Sequence, residues 1–266
     1  SYGVISSGGL KGLTANRNIT AFSLAIKIPF LLFLIQLEKK MWTKIALSLT
    51  ICLTLICLSM IQSRASFIAI GFSVLAYGFM HTIIYVRENR KWTQFLQTGF
   101  FLIPLLIAIL VNRTTLSNKG ADAISRAATI SVSTNDGSVN QRLRYYEDVV
   151  THLISNPIFG VGLGNWKLKS IDYDSRDIVG YVVPHHAHSD FIQLGAELGI
   201  IGFFLYLGIF LAIVIFGLKI IWKSKISEKD KVFIFILIIS LGVYSIDANL
   251  NFPIARPQVL VVWTML

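Results

Sequence analysis

Charge is scarce in this sequence: 14% of its 266 residues are Asp, Glu, Lys or Arg, where an ordinary soluble domain has about 25%. With 54% hydrophobic residues and a mean hydropathy of +0.66, that scarcity excludes a soluble domain of usual composition. It excludes a disordered chain as well, because so much apolar surface would not stay solvated. Acidic residues are the rarer sign, 14 against 24 basic, which leaves a formal net charge of +10. In a soluble protein that excess would point to nucleic acid, so the positions of the charges decide. Cysteine is nearly absent. Cys52 and Cys57 lie five positions apart in one apolar run and project to different helix faces, which indicates neither a disulfide nor a metal site and predicts packing roles. No internal repeat or low-complexity segment is present.

Long apolar runs are what the sequence does have. A bilayer core takes about 20 predominantly apolar helical residues, and six runs approach or reach that length: Ile19–Leu37, Thr43–Ile61, Ala65–Val86, Phe95–Val111, Ile200–Trp222 and Val232–Ile246. A seventh, Val259–Leu266, stops with the sequence. Ser1 is not an initiator and Leu266 falls inside that last run, so the expectation is the core of a longer polypeptide, from which a missing signal peptide says nothing.

Basic residues in short loops mark the cytoplasmic side of a membrane protein. Lys39, Lys40 and Lys44 follow the first run, Arg87, Arg90 and Lys91 the third, and Lys219, Lys223, Lys225, Lys229 and Lys231 the fifth. These alternate connections hold 11 of the 24 basic residues, so most of the net charge is a topological signal and argues for a lipid bilayer and no nucleic-acid partner. The resulting organisation is about four spans in 1–111, a large outward loop in 112–190, and about three spans in 191–266, the last cut short.

That loop has eight basic and eight acidic residues, a net charge of zero, and is too long to lack structure of its own. Within it Leu143, Tyr146, Val150 and Ile154 recur at helical spacing, predicting an amphipathic helix at the membrane interface over Gln141–Ser155, stopped by Asn156-Pro157. Gly160, Gly162 and Gly164 then alternate in FGVGLGN. This is not a dinucleotide fingerprint; it reads as a turn in which backbones pack closely.

Ionisable groups near hydrocarbon are costly and mark interior or wet positions. Lys27, Arg64, Glu197, Asp247 and Arg256 are such groups. Lys27 has the length to reach the interface. Arg64, at a span boundary, reads either as an interfacial anchor or as an outward anion site suited to phosphate by its forked donors. PHHAHSD sets His185, His186 and His188 just before a span. Without an HExxH motif, a Cys partner or a helix-spaced pair, the readings are a general base at the bilayer surface or an interfacial cluster making local hydrogen bonds, ahead of a metal site.

His188-Ser189, followed after nine residues by Gly199 and then Gly202, resembles the His-(Asn/Ser/Gln)-x9-Gly-x-x-Gly pattern of the O-antigen ligase and polymerase superfamily. HSDFIQLGAELGIIGFFLYL, with Glu197 before the first glycine, is similar to that family throughout. Arg142-x-x-x-Tyr146 leading into NPIFGVGLGN resembles its Arg-x-x-x-aromatic helix and glycine turn, with Tyr146 where Trp is common. Ser63-Arg64 resembles the Ser-Arg motif opening an earlier helix, and GLTANRNITA, around Asn16 and Asn18, a segment nearer the start.

The resemblance implies an all-α polytopic membrane protein, a C-type glycosyltransferase-like bundle with a large periplasmic loop, placed in the bacterial inner membrane with its active site facing the periplasm. It implies transfer of a glycan from undecaprenyl pyrophosphate to a lipid A–core sugar hydroxyl, with inversion and with no metal or other cofactor. Polysaccharide polymerases and protein O-oligosaccharyltransferases share the motifs and remain alternatives. In this scheme His188 is the base or acceptor-positioning group, and Arg64 and Arg142 clamp the pyrophosphate. Arg144, on another side of the same helix, His185, His186 and Tyr146 are secondary binding candidates. Glu197, about half a turn out of phase with His188, is expected to satisfy backbone or an arginine rather than form a dyad. A transporter, the more distant alternative, should show repeat symmetry and broken helices at the midplane, and the two halves of this sequence do not resemble each other.

Overall fold

The computed structural model describes residues 16–87, 98–116, 137–173, 186–223 and 225–257, and among them every regular element is helical. The elements are α1 (Arg17–Ala25), α2 (Ile28–Leu37), α3 (Met41–Ile61), α4 (Arg64–Arg87), α5 (Gly99–Leu116), α6 (Gly137–Ser155), α7 (Trp166–Lys169), α8 (Asp190–Lys223) and α9 (Glu228–Leu250). Short 3-10 turns follow α7 and α9 at Ser170–Asp172 and Pro253–Ala255. Among the described residues five stretches are long and apolar enough to cross a membrane: Arg17–Leu37, Met41–Ile61, Arg64–Ile83, Asp190–Lys223 and Glu228–Leu250. Gly99–Thr114 is apolar but shorter. The molecule is an all-α polytopic membrane protein.

Local chemistry explains where the helices differ from the apolar runs. The first run is broken: α1 ends at Ala25, and α2 restarts at Ile28 with a proline in its first turn, leaving Lys27 exposed at the break. Proline has no N–H to give, so Pro29 begins a helix more easily than it continues one. Asn16 caps α1, its side-chain oxygen accepting from the N–H groups of Asn18 at 2.9 Å and Ile19 at 3.4 Å. The expected fourth run starts at Gly99 where the helix is described, and 88–97 and Val259–Leu266 lie outside the described residues.

The chain divides into two compact units. In the first (Ser1–Ile130, Gly217–Ile246 and Val261–Leu266), α3 packs along α2 and α5, and α1 packs on α3 and α4. Phe22 meets Tyr244 edge-on at 5.9 Å and Phe33 meets Phe233 at 5.1 Å, tying α1 and α2 to α9. Gly242 is needed there, because a Cβ would collide with the Phe72 ring. Gln62 takes a left-handed conformation (φ 57) in the reversal between α3 and α4. Ser63, in that reversal, donates from Oγ to Asn18 Oδ1 at 3.1 Å. A groove of about 410 Å³ between α3 and α5 is walled by apolar side chains including Ile45, Leu49, Phe100 and Ile103, with buried Cys52 at its edge. Cys57 is exposed, so the packing role expected of both cysteines holds for Cys52 alone.

The second unit (Ser131–Phe216 and Asp247–Leu260) is built around α6 and the start of α8. The predicted helix over Gln141–Ser155 is present, starts at Gly137 and stops at Asn156-Pro157. Its inward face is not the predicted stripe. Tyr145, Val149 and His152 are buried, whereas Leu143, Val150 and Ile154 are exposed. A helix with one face in a protein core and a second apolar stripe outside suits a bilayer interface, where that stripe meets acyl chains.

Candidate functional site

A small core fixes the loop that follows α6. Val149, Trp166, Ala187 and Ala196 are buried together, with Leu153, Val161, Tyr173 and Ile192 packed around them. Trp166 stacks on Tyr173 at 6.0 Å, and His152 Nδ1 lies 2.9 Å from the Tyr173 hydroxyl. Burial of a large side chain of this kind contributes about 1.5–3 kcal/mol, enough to order a loop that has little regular structure.

The glycine turn docks on α8 by backbone. Val161 N–H donates to Ala196 O at 3.0 Å, Gly162 N–H to Glu197 O at 2.8 Å, and Ile200 N–H to Pro157 O at 2.9 Å. The Ala196 and Glu197 carbonyls and the Ile200 N–H are available because α8 is interrupted at Gly199 (φ 70, ψ −170). A Cβ on Gly199 would strike the Ile158 carbonyl, and one on Gly160 would come within 2.7 Å of Glu197 O. The close backbone approach read from the glycines is therefore literal, with its partner in Gly199 of the His-x9-Gly pattern. At about 1.5 Å per residue the 34 residues of α8 would measure about 51 Å unbroken, well beyond a hydrocarbon core of about 30 Å. The interruption leaves 200–223 as a length that spans.

The histidine segment sits between this core and the chain after α9. Ala187 is buried in the core, and the rings of its neighbours His186 and His188 both reach Phe252. His186 stacks on Phe252 at 4.2 Å with 14° between planes, and His188 approaches it edge-on at 5.2 Å. Tyr145 lies parallel to His188 at 5.9 Å, and the Arg256 guanidinium sits 4.3 Å from the Phe252 ring centre. The Tyr146 hydroxyl reaches Asn249 O at 3.1 Å and His188 O at 3.4 Å. That is work for a hydrogen-bond donor at the tip of an aromatic side chain, which an indole also carries. Ser189 Oγ accepts from Ile192 N–H at 3.4 Å at the start of α8, and Asp190 Oδ2 accepts from Ile254 N–H at 2.9 Å, closing the chain end onto α8.

His188 takes a left-handed backbone conformation (φ 57), which costs an L residue about 1–2 kcal/mol and persists only where surroundings impose it. Its Nδ1 is buried without a hydrogen-bond partner among the described residues. Burial lowers its pKa to about 4, and the charges of Arg142, His186 and Arg256 push the same way. The ring is therefore neutral at physiological pH and faces positive charge, a surrounding in which an incoming anion is favoured. Burial also raises the Tyr146 phenol and lowers Arg256, whose Nε has no partner among the described residues.

The structure thus brings Arg142, Tyr146, His186 and His188 together in one unit. Arg144 is half-buried on α6 and is not among the charges acting on His188. Glu197 contacts backbone, the first of its two expected partners: its Oε2 accepts from Gly164 N–H at 2.8 Å. Arg64, at the first position of α4, belongs to the other unit, and His185 lies outside the described residues. Sequence reasoning singled out Arg256 only as a costly charge near hydrocarbon and assigned no role to Tyr145, Gln193 or Phe252. The signal for Gln193 was present as a polar row, Ser189, Gln193 and Glu197, at spacings of four on an apolar helix; Phe252 and Arg256 reach the site only by folding. Among the described residues no three His, Cys, Asp or Glu side chains converge in a way that could hold a metal ion.

Comparison with known proteins bears on this arrangement. No curated protein matches the chain. The family described as O-Antigen ligase matches residues 49–207, more than half of the sequence, from within α3 through the glycine turn and the histidine segment into α8. With its multi-pass apolar helices and these motifs in place, the chain belongs to the O-antigen ligase family.

Proposed function

We propose that this protein transfers a glycan from undecaprenyl pyrophosphate to a sugar hydroxyl of lipid A–core at the periplasmic face of the inner membrane, inverting the anomeric centre without a metal. The observation that carries this reading is a half-buried His188 whose Nδ1 is buried without a partner among the described residues, set on an aromatic frame that also carries the Arg256 guanidinium, with the charge of Arg142 acting on it. The acceptor oxygen attacks the anomeric carbon as the bond to the pyrophosphate oxygen breaks. The leaving group takes the electron pair, and His188 takes the hydroxyl proton. Because the leaving group is already activated, the protein has to position it, neutralise growing negative charge and accept one proton. Arg142 serves the second task, its fork suited to pyrophosphate oxygens. Arg64 is assigned to the same task on its Ser-Arg motif alone.

Purified protein given an undecaprenyl-pyrophosphate glycan and lipid A–core should form the ligated product in the presence of EDTA. Product formed instead on a second lipid-linked glycan, or on a protein serine or threonine, would replace the ligase reading by a polymerase or an oligosaccharyltransferase. The pH dependence follows from the same charges. The neutral ring is the active form, so the acid limb of kcat/KM, which reports the free enzyme, is expected near pH 4 instead of the about 6.5 of ordinary imidazole. Bound pyrophosphate offsets the arginines and raises the proton affinity of the ring, so the limb in kcat lies at higher pH than the limb in kcat/KM. Initial rates across the acid range measure both, and the reverse order would contradict the assignment of His188 as base.

A further inference from the structure

Gln193 stands one turn into α8, between the glycine turn and the histidine segment, and four contacts determine how its amide is turned. Gly164 N–H donates to Glu197 Oε2 at 2.8 Å, and the other oxygen of that carboxylate, Oε1, lies 3.1 Å from Gln193 Nε2. A carboxylate only accepts, so the amide nitrogen must be the end that faces it. On the other side, Gln193 Oε1 accepts from Ala187 N–H at 3.2 Å and lies 3.3 Å from His186 Nδ1. A backbone N–H only donates, so the two flanks demand the same orientation independently. With a carbonyl oxygen opposite, His186 Nδ1 must carry a hydrogen, and in the neutral ring Nε2 is then the nitrogen without one.

We propose that Gln193 is a positioning residue for the His186–His188 segment, its amide aligned by Glu197, so that the glycine turn, Glu197, Gln193 and the histidines form one hydrogen-bonded relay. The proposal deepens the transferase reading and rests on it for its kinetic consequence. Among the described residues Gln193 makes no hydrogen bond to His188. It holds the His186–Ala187 peptide, one residue ahead of His188, whose left-handed conformation has to be imposed by its neighbours. It also selects the tautomer of His186, the ring stacked beside it on Phe252.

The relay has a rearrangement that preserves every bond. Gln193→Glu alone sets two carboxylates face to face. Glu197→Gln alone offers one oxygen and one amino group to two donors, so either Gly164 N–H or the Gln193 amide meets a donor. Together, Q193E with E197Q restores the set: the new amide oxygen accepts from Gly164 N–H, its amino group donates to the new carboxylate, and that carboxylate accepts from Ala187 and His186.

In the full chain in lipid nanodiscs, each single variant is expected to lose about tenfold or more in kcat with little change in donor KM, and the double variant to recover most of the loss, as coupled groups in one network do. A double variant as poor as the product of the singles, with the unaltered protein active, overturns the relay and leaves the transferase reading intact. An unaltered protein that transfers nothing from the lipid-linked donor overturns the transferase reading, and a spectroscopic measurement then decides the relay. In isotope-labelled histidine NMR at alkaline pH, the His186 signal, identified by its loss in His186→Gln, should be the Nδ1-protonated tautomer and should lose that bias in Gln193→Ala. An Nε2-protonated His186 overturns the proposal whatever the activity.

Discussion

Replacing His188 by asparagine is expected to lower turnover by about a hundred- to ten-thousandfold, the range that removal of a general base costs, while the protein stays folded. Asparagine is the informative choice. It tolerates the left-handed conformation that position 188 adopts (φ 57), so the variant removes the imidazole without adding backbone strain. Alanine would remove both the ring and the tolerance, and a loss of activity could then be a loss of local structure. The stacking of His188 with Tyr145 and its edge contact with Phe252 are forfeited in either case, at about 0.5–1.5 kcal/mol for an aromatic pair. A thermal unfolding curve beside a single-turnover assay separates the two effects. Turnover within about threefold of the unaltered protein would remove His188 from the chemistry, since a base worth less than that does not decide a rate.

Gly199→Ala is expected to be the most destabilising substitution of its size in the second unit. Two costs combine. The backbone at Gly199 (φ 70, ψ −170) lies in a region essentially confined to glycine, which costs an L residue about 1–3 kcal/mol, and the added Cβ would run into the Ile158 carbonyl and stand 2.8 Å from Phe159 N. Backbone atoms cannot step aside as a flexible side chain does, so the glycine turn has to lift from α8. It then loses the bonds that join Val161, Gly162 and Ile200 to their partners. Gly164→Ala is the comparison without a collision, since Gly164 also has positive φ but a Cβ there meets nothing within 4 Å. Unfolding midpoints in detergent should therefore rank the unaltered protein first, Gly164→Ala next and Gly199→Ala last by a wide margin. Equal losses in the two variants would show that conformation alone matters and that the backbone crossing does not.

The readings that succeeded from sequence were those in which the deciding physics is local. Hydropathy located α3, α4 and α9 because each is apolar over a bilayer's length, and Asn156-Pro157 marked the end of α6 within a residue. It missed the break at Lys27 because hydropathy is blind to the missing N–H of Pro29. The protein-facing side of α6 was not legible for a different reason: Leu143, Val150 and Ile154 form a real apolar stripe, but the core takes Tyr145, Val149 and His152, and the His152 ring meets the Tyr173 hydroxyl only once the loop has folded. His188 and Arg142 were visible as motif residues. Phe252 and Arg256 were not, since more than sixty positions separate them from His188 and no periodicity connects the two segments. Glu197 was legible as a group needing backbone, yet the donor, Gly164 N–H, lies 33 positions away.

The ring of Phe252 carries a consequence for how this site can be dissected. His186, His188 and Arg256 all rest on it, so truncating that one phenyl group disturbs two imidazoles and a guanidinium at once. Losses measured at these four positions will not sum, because each variant already includes part of what the others remove. An alanine scan would rank Phe252 beside the histidines although it holds no proton and bears no charge. The phenylalanine is the keystone of the arrangement, and its apparent importance measures what leans on it.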